Sequence, residues 1–443
     1  MGPPRFGAPP PPPCILPQVG PADVWELSEN RRSGAAFRDF AISPPPKFGF
    51  RSREASVLAE SRGPLARLAA TMAERLRYAF IVDWFDTHAC VTWKYQLMYN
   101  VGDGTIEMYD LKNRRTFLKR CKYPDVKPEN LYLGSIITVY SRQLTITEYA
   151  DQFTKEQVEK KQKTLAMVKP EAVQHLGKIV NAIVRSGFLI SNMKMCQLSR
   201  AEAAEFYAVH EGKPFYPTLI DYMTSGRIVA MELVAEDAIQ KWRTLLGPTD
   251  VEVAKTDAPN SIRAHFGTDK TQNAAHGSDA PETAAAETAF FFGRSVGKCA
   301  VLKGSTCCII KPHAVKAGYA GLIIDRITER FHVTALQMFN LERGDAQEFH
   351  EVYKGVIPEY SAMVDELTSG PFIALEVTDP DGEECVEPLR ALCGPTDPEI
   401  AKVLRGGSLR AMYGSDKVKN AVHCTDLPED GELEVNYFFN LLA

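Results

Sequence analysis

Two seven-residue stretches, NAAHGSD at 273–279 and NAVHCTD at 420–426, each set a His three residues after an Asn and three before an Asp. Imidazole is a nucleophile near neutral pH when one ring nitrogen is held protonated and the other stays open. Other polar residues recur in step with His276 and His423: Lys169 and Lys311, Arg243 and Arg390, Thr249 and Thr396, Arg263 and Arg410, Asn273 and Asn420, Glu287 and Glu434. All these pairs except the lysines are 147 residues apart. Three cations, a hydroxyl and an amide suit several phosphate groups, Lys acting as a point charge and Arg as a planar fork. A lone His beside small residues is ordinarily a packing residue, but seven polar positions kept in register are more than a shared core requires. No G-x-x-x-x-G-K-[ST] loop accompanies them, so side chains rather than a glycine-rich cradle must hold the phosphates.

The elements around each His follow from local signals. Asp279 and Glu282 have capping-box spacing with Pro281 in the first turn, and Asp426, Pro428 and Glu429 repeat it, which predicts a helix just after each His. A phosphoryl group on the His would then lie near helical N–H groups, an arrangement worth about 0.3–1 kcal/mol. Glu287 follows its His by eleven residues and reaches back only if the chain bends before that helix.

The His stretches belong to a longer internal repeat. TLAMVKPEAV at 164 recurs as CCIIKPHAV at 307, LLGPTD at 245 as LCGPTD at 392, and SIRAHFG at 261 as SLRAMYG at 408. Within a copy, TLAMV, FLISNMKMCQL and IVAMELV read as strands. KIVNAIVRSG, ended by Gly187, SRAEAAEFYAVHEG, opened by Ser199 and Glu202, and EDAIQKWRTLLG read as helices. This alternation predicts an α/β or α+β sandwich in each copy, helices on one sheet, over 164–292 and 305–440.

Ahead of the repeat, residues 78–150 read as a small β-rich domain: YAFIVDWF, CVTWKYQLMYNV and ITVYSRQLTI are strand candidates, and Asp103-Gly104 is a hairpin turn. TKEQVEKKQK at 154–163 is a polar, helix-prone linker. Residues 1–71 are rich in Pro, Ala and Arg and read as a disordered extension ahead of Met72, with a transit peptide as the alternative. At 443 residues the chain holds about three domains. A composition 45% hydrophobic and 24% charged is ordinary for a globular protein, and no apolar run of membrane-spanning length occurs, so no membrane partner is expected. Net charge is −5, which argues against nucleic acid as a general partner. The ten cysteines include no C-x-x-C pair and no zinc-finger spacing, as for reduced thiols in a cytosolic compartment. KNRRTFLKRCK at 112–122 holds six cations in eleven residues, either a solvated hairpin face or a contact with an acidic protein surface.

VKPEAV, FYAVHEGKPFY, WRTLLGPT, SIRAHFG and NAAHGSD together resemble the nucleoside diphosphate kinase family. The resemblance implies a ferredoxin-like βαββαβ core in each copy and ping-pong transfer of a γ-phosphate through phosphohistidine. It implies ATP and other nucleotides as ligands, with Mg²⁺ held mainly through their phosphates. His276 resembles the nucleophile, Glu287 its orienting carboxylate and Ser278 its hydroxyl neighbour. Lys169, Arg243, Thr249 and Arg263 resemble the phosphate ligands and Asn273 the ribose and phosphate contact. Tyr207 resembles a residue lining the nucleophile pocket, and Phe215 the aromatic on which the base stacks. One departure is VEVAKTDAPNS between Thr249 and Arg263, about three residues longer than the family pattern. That loop bears on nucleotide affinity and hexamer assembly.

The second copy departs further. It keeps His423, Glu434, Lys311, Arg390, Thr396, Arg410 and Asn420, but has His350 where Tyr207 stands and Glu359 where Phe215 stands. Losing the stacking face removes about 1–3 kcal/mol of aromatic contact, so the first copy is expected to turn over and the second to be weak or inactive. FIVDWFD, YNVGDGTIEMYDLKNRRTFLKR and LGSIITVYSRQLTITEYAD are similar to a domain of axonemal doublet-microtubule proteins. That resemblance implies the cytoskeleton of a cilium or flagellum as location, with tubulin and other axonemal proteins as partners. It extends to the γ-tubulin complex and the centrosome. The competing expectation is a soluble kinase that maintains nucleoside triphosphate pools.

Overall fold

The computed structural model describes residues 76–442, apart from 87–88 and 159–160. The extension over 1–71 lies outside the described residues.

The first sheet has six antiparallel strands: β1 (Arg77–Asp86), β2 (Val91–Asn100), β3 (Thr105–Asp110), β4 (Arg115–Lys122), β5 (Ile136–Val139) and β6 (Arg142–Tyr149), in the order β4-β3-β2-β1-β6-β5. Gly104, at φ +67°, closes the β2–β3 turn, and the Asp103 carboxylate accepts from the Thr105 N–H and hydroxyl at 3.1 and 2.6 Å. ITVYSRQLTI is not one strand but a hairpin, β5 and β6, that turns at Tyr140 and Ser141 with φ of 49° and 62°. No Gly, Asn or Asp marks that turn, so the sequence hides it. Within the polar linker, residues 154–158 are helical and 161–163 belong to a strand. Gln152–Val158 is a helix tied back by the Thr154 hydroxyl, which accepts from the Ala79 N–H at 2.8 Å, and the next strand already begins at Lys161.

The repeat forms one eight-stranded sheet. Copy one supplies β7 (Lys161–Val168), β8 (Leu189–Cys196), β9 (Ile228–Glu236) and β10 (Ala275–Gly277). Copy two supplies β11 (Ser305–Ile310), β12 (His332–Phe339), β13 (Phe372–Thr378) and β14 (Val422–Cys424). The order β10-β7-β9-β8-β12-β13-β11-β14 is two ferredoxin-like halves joined edge to edge, where Gln337 of β12 pairs with Lys194 of β8. The two copies therefore pair within one chain. Above the seam, helices Leu176–Arg185 and Ala320–Thr328 pack on each other. Their glycines permit the approach: a Cβ on Gly177 would lie 2.2 Å from the Asp325 backbone nitrogen, and one on Gly321 2.4 Å from that of Asn181. One apolar core runs through both copies, from Ile179 and Met231 to Ile323 and Leu375, and each copy buries a further cluster of its own, around Met167 and around Phe438. The β domain buries its own core, which takes in Val234 of β9, and ion-pairs through Asp125 with Lys316 of copy two at 2.7 Å.

Helix signals read from sequence hold in position and differ in length. Ser199 and Glu202 form the capping box of Arg200–Phe206, but the helix stops there and gives way to a 3-10 turn, Ala208–His210. After His276 the helix Pro281–Phe292 starts from Ala280, not Asp279, and Thr283 rather than Glu282 accepts from the cap N–H at 3.0 Å. Asp279 instead accepts from the Thr283 hydroxyl at 2.7 Å. After His423 a 3-10 turn, Pro428–Asp430, precedes the helix Gly431–Asn436, with no cap bond from Asp426.

Candidate active site

β10 lies antiparallel to β7, with His276 opposite Met167, and this register sets the imidazole at the sheet edge. Trp242, from helix Ala238–Leu246, donates its indole N–H to the His276 carbonyl at 3.2 Å and so fixes the strand from behind. The chain bends at Ser278–Ala280, and helix Pro281–Phe292 returns along the pocket. Glu287 sits in its second turn, and its Oε1 lies 3.0 Å from His276 Nε2. The Ser278 hydroxyl donates to the other carboxylate oxygen at 2.6 Å and accepts from the Leu165 N–H at 3.2 Å. With Nε2–H donated to Glu287, His276 Nδ1 carries the free lone pair, the arrangement a nucleophilic imidazole needs.

The rest of the site is built on the elements beside β10. Phe206 and Tyr207 stand edge-on to the imidazole, with ring centroids 5.6 and 6.4 Å away. The Tyr207 hydroxyl is buried without a hydrogen-bond partner, and burial, then the Glu287 carboxylate, raises its phenol well above the ordinary value. Lys169 follows β7 and donates to the Thr271 carbonyl and to Asn273 Oδ1, both at 2.8 Å. Burial pushes its ammonium down to about 8, with Glu171 pulling the other way. Arg263 donates to the carbonyls of Gly247 and Ala275 at 2.8 and 3.1 Å, and its Nε is buried and unpaired. Burial, then the charge of Arg243, lowers it to about 10. Asn273 also donates to the Thr249 carbonyl at 3.2 Å. Arg243 and Thr249 are exposed at the mouth, and Phe215 is 50% exposed at its rim, 5.7 Å from the His210 ring. Thus His276, Glu287, Ser278, Tyr207, Lys169, Asn273 and Arg263 are brought together, Arg243 and Thr249 border them, and Phe215 stands apart as an outer wall.

In copy two, Glu434 contacts His423 Nε2 at 3.0 Å and accepts from the Thr425 hydroxyl at 2.9 Å, reproducing the first triad. Burial opposes charge on His423, but the Glu434 carboxylate outweighs it and raises the imidazole above its ordinary value. The mouth differs. Arg390 ion-pairs with Asp426, and Tyr353 donates its hydroxyl to the same carboxylate. Arg243 makes no such pair among the described residues. Lys311 donates to the Val418 carbonyl at 2.8 Å, and Asn420 Oδ1 is left buried and unpaired. Arg410 donates to the carbonyls of Gly394 and Val422 at 2.7 and 3.2 Å. His350 is buried 6.3 Å from the His423 ring with Nδ1 unpaired; burial, then His423 and Lys311, pushes it down to about 3. Thr396 is exposed, and Glu359 precedes helix Tyr360–Leu367 without a side-chain capping bond. His423 is 8% exposed against 23% for His276.

Two residues of this neighbourhood escape a search for repeated identities. Glu171 accepts from the Ala274 N–H at 2.8 Å, and His313 does the same for Ala421 at 3.1 Å. Their types differ between copies, so only their matched positions could have revealed them.

A family model described as nucleoside diphosphate kinase matches residues 162–296 and again 304–442. One described as the nucleoside diphosphate kinase 7 N-terminal PH domain matches residues 72–160. The chain is 48% identical over 388 residues to nucleoside diphosphate kinase homolog 7 of Rattus norvegicus, which covers 86% of this chain and 98% of that protein. Against the Mus musculus homolog 7 it is 50% identical over 372 residues, 83% of this chain and 93% of that one. Its similarity to nucleoside diphosphate kinase of Aquifex aeolicus (strain VF5) is 48% over 133 residues, 30% of this chain and 94% of that one.

Proposed function

The chain belongs to the nucleoside diphosphate kinase family, and on that premise we propose that copy one transfers phosphoryl groups through His276 while copy two is weak or inactive. The Ser278–Glu287–His276 chain, which leaves Nδ1 open, supports the activity of copy one, and the Arg390–Asp426 pair beside the more buried His423 supports the weakness of copy two. Nδ1 attacks the γ-phosphorus in line, the N–P bond forms as the bond to the β-phosphate oxygen breaks, and the nucleoside diphosphate leaves. A second diphosphate then takes the phosphoryl group from Nδ1, and Glu287 keeps the Nε2 proton in place through both halves. Lys169 and Arg263 stabilise the charge that spreads over the transferring oxygens, and Arg243 and Thr249 steady the phosphates at the mouth. The buried Tyr207 hydroxyl has a free donor for a phosphate oxygen beside His276. Phe215 offers a face to any base, and Asn273 a contact for ribose and phosphate. Among the described residues no three His, Cys, Asp or Glu side chains converge as a metal site. Lys169, Arg243 and Arg263 are cations that cannot ligate Mg²⁺, so the ion would be held mainly by the nucleotide's own phosphates and would supply further charge neutralisation there. Labelling with γ-³²P-ATP tests this reading: His276→Ala must lose most of the phosphohistidine. Undiminished labelling of that variant, or its loss in His423→Ala alone, reverses the assignment.

We also propose that the protein works on the doublet microtubules of motile cilia, bound to tubulin and other axonemal proteins, with the γ-tubulin complex as a further partner. Support comes from the resemblance of its β domain to axonemal proteins and from β4. This edge strand carries Arg115, Lys119, Arg120 and Lys122 on a mostly exposed surface. A soluble keeper of triphosphate pools is the second reading, favoured by the complete first triad. Salt extraction of isolated cilia separates the two: the soluble enzyme washes out and the bound one stays.

A further inference from the structure

Ala274 and Ala421, each two residues before the His, have φ of 68° and 71°, a left-handed conformation that a Cβ disfavours. Such a conformation persists only where its surroundings enforce it. In copy one the Ala274 carbonyl accepts from the Lys169 N–H at 2.9 Å, and the Ala274 N–H donates to Glu171 Oε1 at 2.8 Å. The second Glu171 oxygen accepts from the Tyr222 hydroxyl. In copy two the Lys311 N–H donates to the Ala421 carbonyl at 2.9 Å, but the acceptor of the Ala421 N–H is His313 Nε2 at 3.1 Å. His313 Nδ1 meets Glu366 Oε1 at 2.6 Å, so His313 is the tautomer with its proton on Nδ1.

Positions 171 and 313 correspond, as do 222 and 366. Between the copies the carboxylate has moved from the first member of the pair to the second. Glu with Tyr became His with Glu, yet both pairs end in an acceptor aimed at the same backbone N–H. We infer that Glu171 and Tyr222 are positioning residues for phosphotransfer at His276, acting through Ala274, and that His313 and Glu366 are the interchangeable version of the same device. The peptide they clamp sits between Asn273 and His276, so its orientation sets both the Lys169 partner and the strand that carries the nucleophile. This inference rests on the phosphotransfer reading above.

The test uses the full chain carrying His423→Ala, so that only copy one takes label from γ-³²P-ATP. Glu171→Ala should slow maximal labelling about tenfold, with half-saturating ATP changed less than about threefold, because the N–H loses its acceptor. Glu171→Gln, which keeps an acceptor oxygen, should retain at least about a third of the rate. Tyr222→Glu sets two carboxylates face to face and should slow labelling about tenfold. Adding Glu171→His, which completes the pair of copy two, should restore the rate to within about threefold. Amide hydrogen exchange at Ala274 should follow the same ranking without turnover: fast in Glu171→Ala and Tyr222→Glu, slow in the parent and in the double exchange. The inference fails if Glu171→Ala exchanges and labels like the parent, or if the double exchange is no better than Tyr222→Glu. A parent that takes no label refutes the phosphotransfer reading, and the exchange ranking still decides the pair.

Discussion

The two pockets share a triad and differ at the door. His276 and His423 each have a carboxylate on Nε2, Glu287 and Glu434, and each carboxylate holds a hydroxyl, Ser278 and Thr425. Around the first, Arg243 makes no ion pair among the described residues, and the imidazole is 23% exposed. Around the second, Asp426 gathers Arg390 and Tyr353 across the mouth, and the imidazole is nearly sealed. A residue type can be kept in the sequence while its availability is lost. Arg390 survives in sequence, but an incoming phosphate must compete with a carboxylate already bound to it.

The same contrast appears behind the His. A Cβ on Gly277 would lie 2.5 Å from Trp242, whereas its counterpart Cys424 is housed in copy two, where Leu389 takes the place of Trp242. Each copy is packed for its own residues, so single exchanges between them are expected to be poorly tolerated.

The largest difference between the pockets is expected at the two histidines. His276→Ala should lower nucleoside diphosphate kinase turnover by at least about a hundredfold, while His423→Ala should keep at least half of it, read in a coupled assay. Comparable losses would make the pockets equivalent. Next, Ser278→Ala should slow labelling of His276 about tenfold by releasing one carboxylate oxygen. An unchanged rate would remove the hydroxyl from the mechanism. Third comes pH. Because Glu434 raises His423, that ring stays an imidazolium to higher pH and lacks a nucleophilic lone pair while charged. In the His276→Ala chain, acid-labile labelling should therefore rise about threefold between pH 6 and 8. A flat profile would mean that exclusion at the mouth, not protonation, limits the second pocket. The smallest effect is expected from Tyr353→Phe, which loosens Asp426 and should raise labelling of His423 about twofold. A fall would make the Tyr353 hydroxyl a ligand rather than a latch.

Legibility followed range along the chain. The spacing of seven polar residues, the repeat and the alternation of strand and helix patterns were enough for two α+β copies and a β-rich domain, because periodicity and turn chemistry are local. Ser199 and Glu202 announced their capping box for the same reason. The Tyr140–Ser141 turn was invisible because neither residue is one that favours positive φ. The start of helix Pro281–Phe292 shifted by a residue because Thr283 and Asp279 found each other first. What only the tertiary structure decided was how distant side chains are spent. The bend that brings Glu287 onto His276, the edge pairing of β8 with β12, the capture of Arg390 by Asp426 and the exchange of Glu171 for His313 all join residues far apart in sequence. A residue's type sets the bonds it can make, and packing alone decides which of them it has already made.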